Sequence, residues 1–129
     1  MQQPKIKIAF FISDLPAGGA ERVMVNIIRN IDTSRFIPTL ILFSKYGVLM
    51  PSLPQDIEIY SLKKVNSKFW YGLQWLKLVI KLAKYLRKIK PDVIFSFLWY
   101  PNAIAIAAKI ISVPCKVLVS ERTSTSIYE

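Results

Sequence analysis

The fold class is decided by the stretch KIKIAFFI at residues 5–12 and the segment SDLPAGGAER at residues 13–22. The first is an apolar run of the length of a β-strand, and the second carries a Gly-Gly pair. Residues 20–31 follow, with apolar side chains at helical spacing. A strand, a glycine-containing loop and a helix in this order predict the first unit of an α/β fold.

The same alternation continues along the chain. Further strands are predicted at residues 36–43, 57–62, 93–98 and 116–119, and further helices at residues 69–90 and 102–111. The first and fourth strands are apolar on both faces, which is typical of a parallel sheet covered by helices. We therefore predict a single domain over residues 1–129, a Rossmann-like open parallel sheet with helices on both faces.

The composition excludes several classes of protein. Of the 129 residues 53% are hydrophobic, and there are 4 glycines and 1 cysteine, which excludes a disordered chain, a collagen-like fibre and a disulfide-stapled module. The chain has no histidine, so it builds neither a Ser-His-Asp triad nor a His-ligated metal site, and we expect no metal. Because no apolar segment runs uninterrupted for about 18 residues, we expect a cytoplasmic protein. Cys115 is predicted to be a small buried residue in a strand.

The positive charge is concentrated in one segment. The formal net charge is +10, and nine of the 18 basic residues lie within residues 63–90, which contain no acidic residue. On a helix over residues 69–90, one narrow stripe holds four lysines, namely Lys77, Lys81, Lys84 and Lys88. The stripe is either a solvated face or, beside the aromatic residues 69–71, a surface that meets an anionic membrane.

The loop after the first strand is the first candidate site. Gly18 and Gly19 permit a tight turn and the close approach of a ligand, and the following helix offers free N–H groups to a phosphate. The loop has neither the GxGxxG pattern of dinucleotide-binding proteins nor the Gly-Lys-Ser/Thr of a P-loop. The alternative is that the glycines only form a turn, with Glu21 as a first-turn acid.

Polar residues also lie at the carboxyl ends of the fourth and fifth strands, where ligands bind in open α/β sheets. Ser96 and Asn102 are predicted to face the cleft and bind an acceptor, although Asn102 is also a candidate helix cap. Glu121 and Arg122 either orient an acceptor hydroxyl and bind a phosphate or form a solvated pair.

An ordered set of short motifs resembles the amino-terminal half of the family 4 retaining glycosyltransferases. The motifs span nearly the whole chain, namely Gly18 to Met24, Ile31-Asp32 with Arg35, Leu53-Pro54, Lys90 to Ser96, and Val119 to Arg122. The resemblance implies a GT-B enzyme of two domains, of which this chain is the acceptor-side one.

What the resemblance implies for the site follows residue by residue. Gly18 and Gly19 would contact the phosphates of a nucleotide-sugar donor, and Arg22 would be a structural or phosphate-facing cation. Many members carry a histidine near the reacting sugar, and this chain has none. Ser120-Glu121-Arg122 stand in the region where it would be expected, so the catalytic residue is left unassigned, with Glu121 as a candidate. The nucleotide-sugar is a co-substrate, and no further cofactor is expected.

The implied partners are a nucleotide-sugar, a saccharide or lipid-linked acceptor, an anionic membrane surface on the cytoplasmic side, and a carboxy-terminal domain that carries a pair of glutamates. The resemblance implies a hexosyltransferase of polysaccharide biosynthesis when complete, and an inactive fragment by itself. Two alternatives stay open, a non-enzymatic basic module that binds nucleic acid or a membrane, and a nucleotide-binding domain of another enzyme class. Nucleic acid is disfavoured because no motif that positions bases accompanies the lysines.

Overall fold

The strands form one parallel sheet in the order β3-β2-β1-β4-β5. A computed structural model describes residues 3–62, 71–112 and 115–121. Within these residues the strands are β1 (Ile6–Ile12), β2 (Phe36–Leu42), β3 (Glu58–Ser61), β4 (Val93–Phe97) and β5 (Lys116–Ser120). The predicted Rossmann-like parallel sheet is confirmed.

Three α-helices and one short 3-10 helix connect the strands in the described residues. They are α1 (Gly19–Asn30), α2 (Tyr71–Ile89), α3 (Trp99–Ser112) and the 3-10 helix (Met50–Ser52), which the sequence analysis does not predict. The predicted start of α3 at residue 102 is wrong by three residues. Pro101 misled that prediction, because the first turn of a helix tolerates proline.

The helices cover both faces of the sheet, as predicted. The chain runs outward from β1 through β2 to β3 and then returns to β4 on the other side of β1. Right-handed crossovers therefore place α1 on one face and both α2 and α3 on the other. Two hydrophobic clusters fill these interfaces, one around Phe10 and Met24, the other around Phe11 and Leu82.

Only the carboxyl halves of β1 and β2 are fully buried. Four consecutive residues of each strand, ending at Ile12 and Leu42, are buried, whereas Ile6 and Ile37 near the opposite ends are exposed. The two cores therefore lie close to the carboxyl edge of the sheet and support the loops that leave it.

The amino edge of the sheet is fixed by Asp92. Its carboxylate accepts a hydrogen bond from the Lys7 amide at 2.8 Å, and its own amide donates to the Lys7 carbonyl at 2.8 Å. The Asp92 carbonyl accepts from the Lys116 amide at 3.1 Å. The Lys-Pro-Asp motif therefore joins β1, β4 and β5 far from the predicted cleft, and its role here is structural.

Cys115 is buried immediately before β5 rather than within it. Burial raises the pKa of its thiol. Because the thiolate is the reactive form, this environment suits a structural cysteine.

The buried Tyr85 predicts that the free energy of unfolding depends on pH in the alkaline range. Burial, with the Glu58 carboxylate as the next cause, raises the pKa of Tyr85 to about 12. The unfolded chain releases this proton near pH 10, so the free energy of unfolding should fall between about pH 10 and pH 12. We expect Tyr85→Phe to flatten this fall in urea midpoints measured from about pH 9 to pH 12, whereas Tyr46→Phe, at an exposed tyrosine, should keep it. Identical profiles for both variants would contradict the assignment.

Candidate functional site

The sheet has a topological switch point between β1 and β4. From these neighbouring strands the chain continues in opposite directions across the sheet, so the loops after Ile12 and Phe97 diverge. In open α/β sheets a crevice forms at such a point, outside the carboxyl ends of the strands. The glycine loop lies on one side of this point and the β4–α3 junction on the other.

The two loop glycines have different environments. Gly18 is the N-cap residue of α1, and a Cβ there would collide with the Glu21 carboxylate, which is buried over the turn. A Cβ at Gly19 would meet no atom of residues 3–62, 71–112 and 115–121 within 4 Å, and Gly19 has no positive φ. A Cβ at 18 therefore requires the end of the Glu21 side chain to move, whereas packing against the described residues gives no reason for a glycine at 19.

Arg22 is exposed in the first turns of α1 and bonds back to the loop. Its Nε donates to the Ala17 carbonyl at 3.3 Å, and its amide donates to the Gly18 carbonyl at 3.1 Å. These bonds hold the loop against the helix, which supports the structural one of its two predicted roles.

The β4–α3 junction is held by the last residue of β5. The Ser120 carbonyl accepts from the Leu98 amide at 3.0 Å and from the Asn102 Nδ2 at 3.3 Å. Leu98 has φ 75°, a left-handed conformation that is strained for leucine and is concentrated at functional sites. Glu121 follows Ser120 and is exposed, so its backbone lies beside the start of α3.

The predicted acceptor residues Ser96 and Asn102 are buried. Ser96 Oγ and Asn102 Oδ1 have no hydrogen-bond partner among the described residues. An acceptor would reach them only after the residues above them moved, so their predicted role as acceptor contacts stays a prediction. The alternative that Asn102 caps α3 is wrong, since the helix begins three residues earlier.

The loop after β2 packs on the glycine loop, a contact that the sequence pattern does not predict. The Leu15 amide donates to the Tyr46 carbonyl at 2.9 Å, and the Leu49 amide donates to the Leu15 carbonyl at 3.2 Å. Between them Gly47 has φ 133°, and a Cβ there would collide with the Leu15 backbone. The only sequence signal for this contact is an isolated glycine between two predicted strands.

The predicted lysine stripe is divided by the structure. Lys77, Lys84 and Lys88 are exposed on α2, whereas the Lys81 ammonium donates to the Leu62 carbonyl at 3.2 Å. Lys81 is therefore a structural contact at the end of β3 rather than part of a free surface. Three apolar residues are exposed on the same helix, namely Leu73, Leu76 and Ile80.

Several predicted features cannot be placed. Arg122, the lysines at 63, 64 and 68 and the aromatic pair at 69 and 70 lie outside the described residues. Among the helices that the structure describes, none is long and apolar enough to cross a bilayer. Nor do residues 3–62, 71–112 and 115–121 bring together three acidic, cysteine or histidine side chains that could hold a metal ion.

Neither a protein-family profile nor a curated protein sequence matches this chain. Solved glycosyltransferase structures share its fold. A glycosyltransferase from Rickettsia africae ESF-5 superposes with a TM-score of 0.70 at 19% identity, over 97% of this chain and 33% of that one. The lipopolysaccharide outer core galactosyltransferase WaaB, in its apo form, gives 0.72 at 18% identity, over 96% of this chain and 35% of that one.

MurG of Acinetobacter baumannii has the same fold, with a TM-score of 0.66 at 17% identity, over 96% of this chain and 38% of that one. The chain thus spans about a third of the length of each of these three proteins. The predicted likeness to glycosyltransferases is confirmed at the level of the fold.

Proposed function

We propose that this chain is the acceptor-side part of a two-domain glycosyltransferase whose Gly18–Gly19 loop receives the diphosphate of a nucleotide-sugar. The observation that carries the proposal is the open space at Gly19, since packing against the described residues gives no reason for a glycine there. That position is the first residue of α1, where free amides and the helix dipole favour an anion. Because the chain shares its fold with glycosyltransferases, we take this anion to be the diphosphate of a nucleotide-sugar.

The proposed reaction moves a hexosyl group from a nucleoside diphosphate to a hydroxyl of a saccharide, free or lipid-linked. The bond between the anomeric carbon and the phosphate oxygen breaks, and a bond to the acceptor oxygen forms. The nucleoside diphosphate leaves, and the acceptor proton passes to a base, for which the exposed Glu121 is our candidate. The nucleotide-sugar is a co-substrate, and the proposed reaction needs no additional cofactor.

A second domain is part of the proposal. The similar enzymes are about three times as long as the matched region, which leaves room for a domain that binds the donor. By itself this chain is expected to transfer no sugar, because a transfer needs both walls of the cleft.

The test is a transfer assay with the complete enzyme and a set of radiolabelled UDP-, GDP- and dTDP-sugars. We expect one donor to release its nucleoside diphosphate in the presence of a saccharide acceptor, and residues 1–129 alone to release none. Failure of the complete enzyme to consume any of these donors would contradict the proposed function.

We also propose that α2 rests on an anionic membrane surface, which would place the enzyme at the cytoplasmic face of a membrane. Lys77, Lys84 and Lys88 are exposed beside Leu73, Leu76 and Ile80, an arrangement of cations and apolar side chains that suits the headgroup region. A lysine close to such a surface contributes about 1 kcal/mol of binding. Nucleic acid is the competing ligand for the lysines.

Replacing Lys77, Lys84 and Lys88 together by glutamate should weaken sedimentation with phosphatidylglycerol-containing vesicles at least about tenfold. The matched control replaces Lys5, Lys7 and Lys116, which are exposed elsewhere, by glutamate with the same change in net charge. The control should retain most of the binding. Equal losses of vesicle binding in both variants would indicate that only the net charge attracts the chain to the vesicles. Tight binding of RNA without binding of vesicles would favour the nucleic-acid alternative.

A further inference from the structure

We propose that residues 44–51, here named the Tyr46 loop, bind an apolar aglycone of the saccharide acceptor. This inference rests on the proposed function and narrows its acceptor, given there as a free or lipid-linked saccharide, to one that carries an apolar group. The loop follows β2 and borders the glycine loop, and none of its residues belongs to the sites predicted from the sequence.

The Tyr46 loop is joined to the glycine loop by backbone hydrogen bonds. Its backbone exchanges hydrogen bonds with Leu15 in both directions, at 2.9 Å from the Leu15 amide to the Tyr46 carbonyl and at 3.2 Å from the Leu49 amide to the Leu15 carbonyl. Gly47 supplies the positive φ that this arrangement needs. Leu49 and Met50 pack against the core on the α1 side and anchor the far end of the loop. A loop held at both ends loses little conformational entropy when it binds a ligand.

The fixed loop nevertheless exposes two large apolar residues. Tyr46 is 72% and Val48 is 71% exposed, on either side of the buried contact at Gly47. A tyrosine ring held on a rigid loop offers a flat apolar face and a polar tip, which suits a ligand with both an apolar part and hydroxyl groups. Exposed apolar side chains that lie next to one another form a patch, and contiguous apolar patches on a protein surface mark binding sites.

Tyr46 and Val48 border a cavity of about 650 Å³, whose other lining residues include Pro16, Ala17 and Met50. This volume lies in the range of about 300–1,000 Å³ that small-molecule sites occupy. The lining is mostly apolar, and Lys45 supplies one cation. The cavity therefore suits an apolar group that is joined to a polar or anionic one.

The position of the cavity indicates in which direction the sugar of a bound ligand would extend. Pro16 and Ala17 line it and immediately precede Gly18 and Gly19 in the chain. A ligand whose apolar group lies against Tyr46 and Val48 would extend its sugar past Ala17 toward the switch point, where the donor is proposed to bind. By contrast, the 530 Å³ cavity at Gln3 and Arg35 lies at the opposite edge of the sheet, next to the start of β1.

The binding test compares octyl β-D-glucoside, below its micelle concentration, with methyl β-D-glucoside on the chain of 129 residues. The chain has 4 glycines, so glycine labelled with ¹⁵N gives a spectrum in which Gly47 reports on the loop. We expect saturable shifts of Gly47 with the octyl glucoside and none with the methyl glucoside. Tyr46→Ala combined with Val48→Ser should weaken the binding about fivefold or more.

The control variant is Ile110→Ala, which removes a residue that is 80% exposed on α3 at a distance from the loop in the fold. It should leave the octyl glucoside affinity unchanged. Unchanged affinity in the Tyr46 and Val48 double variant, or equal weakening in the Ile110 variant, would overturn the proposal, because both results describe non-specific adsorption of an alkyl chain.

Turnover of the complete enzyme separates this inference from the proposed function. We expect Tyr46→Ala to raise the acceptor KM about fivefold or more and to leave the donor KM unchanged. If the enzyme transfers sugar and the acceptor KM does not change, the inference is wrong and the proposed function stands. If no nucleotide-sugar is consumed but Gly47 still shifts with octyl glucoside, the proposed function is wrong and the ligand class of the loop stands.

Discussion

Replacement of Gly19 by aspartate is expected to lower glycosyl transfer by the complete enzyme at least about 100-fold, because a carboxylate would occupy the position proposed for the donor diphosphate. The fold should tolerate the change. A Cβ at this position meets nothing within 4 Å in the part of the chain that the structure describes, and an acidic residue in the first turn of a helix is favourable. The measurement is the rate of nucleoside diphosphate release, together with the urea midpoint of the same variant.

Gly19→Ala is the matched control for the charge. It adds a methyl group without a carboxylate, so it should reduce transfer much less than Gly19→Asp and leave the urea midpoint close to that of the parent chain. Turnover of Gly19→Asp within a factor of about two of the parent would remove the phosphate-binding role.

Replacement of Gly47 by alanine is expected to reduce the free energy of unfolding by about 2–4 kcal/mol. Gly47 has φ 133°, and the new Cβ would collide with the backbone of Leu15 rather than with a flexible side chain. The loops after β1 and β2 would both have to move. The loss should appear as a lower urea midpoint.

The chain contains its own control for this prediction. The same substitution at Gly19 adds the same methyl group in the neighbouring loop, where there is open space. We expect the midpoint of Gly19→Ala to lie near that of the parent and the midpoint of Gly47→Ala well below it. Equal midpoints for the two variants would show that the Tyr46 loop is not held by Leu15.

The sheet could be predicted from the sequence because its signals are local. The stretch at residues 5–12 and the run at 93–98 are apolar on both faces, which only a covered parallel sheet explains. The glycines after β1 indicate where the first helix begins. The helices on both faces then follow from the right-handed crossovers.

The details of the site depend on contacts between distant residues, which the sequence does not reveal. Nothing near Leu98 predicts its positive φ, which accompanies its hydrogen bond to the Ser120 carbonyl. Lys81 fits the helical stripe of lysines, yet its ammonium lies on the Leu62 carbonyl. The strand order places Ser96 in β4 and Asn102 in α3 near the carboxyl edge of the sheet, as expected, but both side chains are buried.

The motifs behind the resemblance divide into two groups by their place in the fold. Asp92 and Asp32 act at the amino edge of the sheet, where Asp92 joins three strands and the Asp32 carboxylate accepts from the Ser34 amide at 3.0 Å in the turn before β2. The Ser34 hydroxyl, as the largest cause, holds the pKa of Asp32 below its usual value. The glycine loop and Glu121 after β5 lie at the carboxyl edge instead, and these are the parts of the resemblance on which the proposed ligand site rests.

The most direct test of the proposed donor site is a titration of the ¹⁵N-glycine-labelled chain with uridine diphosphate and guanosine diphosphate. Four glycine amides are present, at Gly18, Gly19, Gly47 and Gly72, and single Gly→Ala variants assign them. We expect saturable shifts of Gly18 and Gly19 with one of the two nucleotides, and much smaller shifts of Gly72. Shifts of equal size at all four amides, or no shift at Gly18 and Gly19 at saturating nucleotide, would contradict a diphosphate site at this loop.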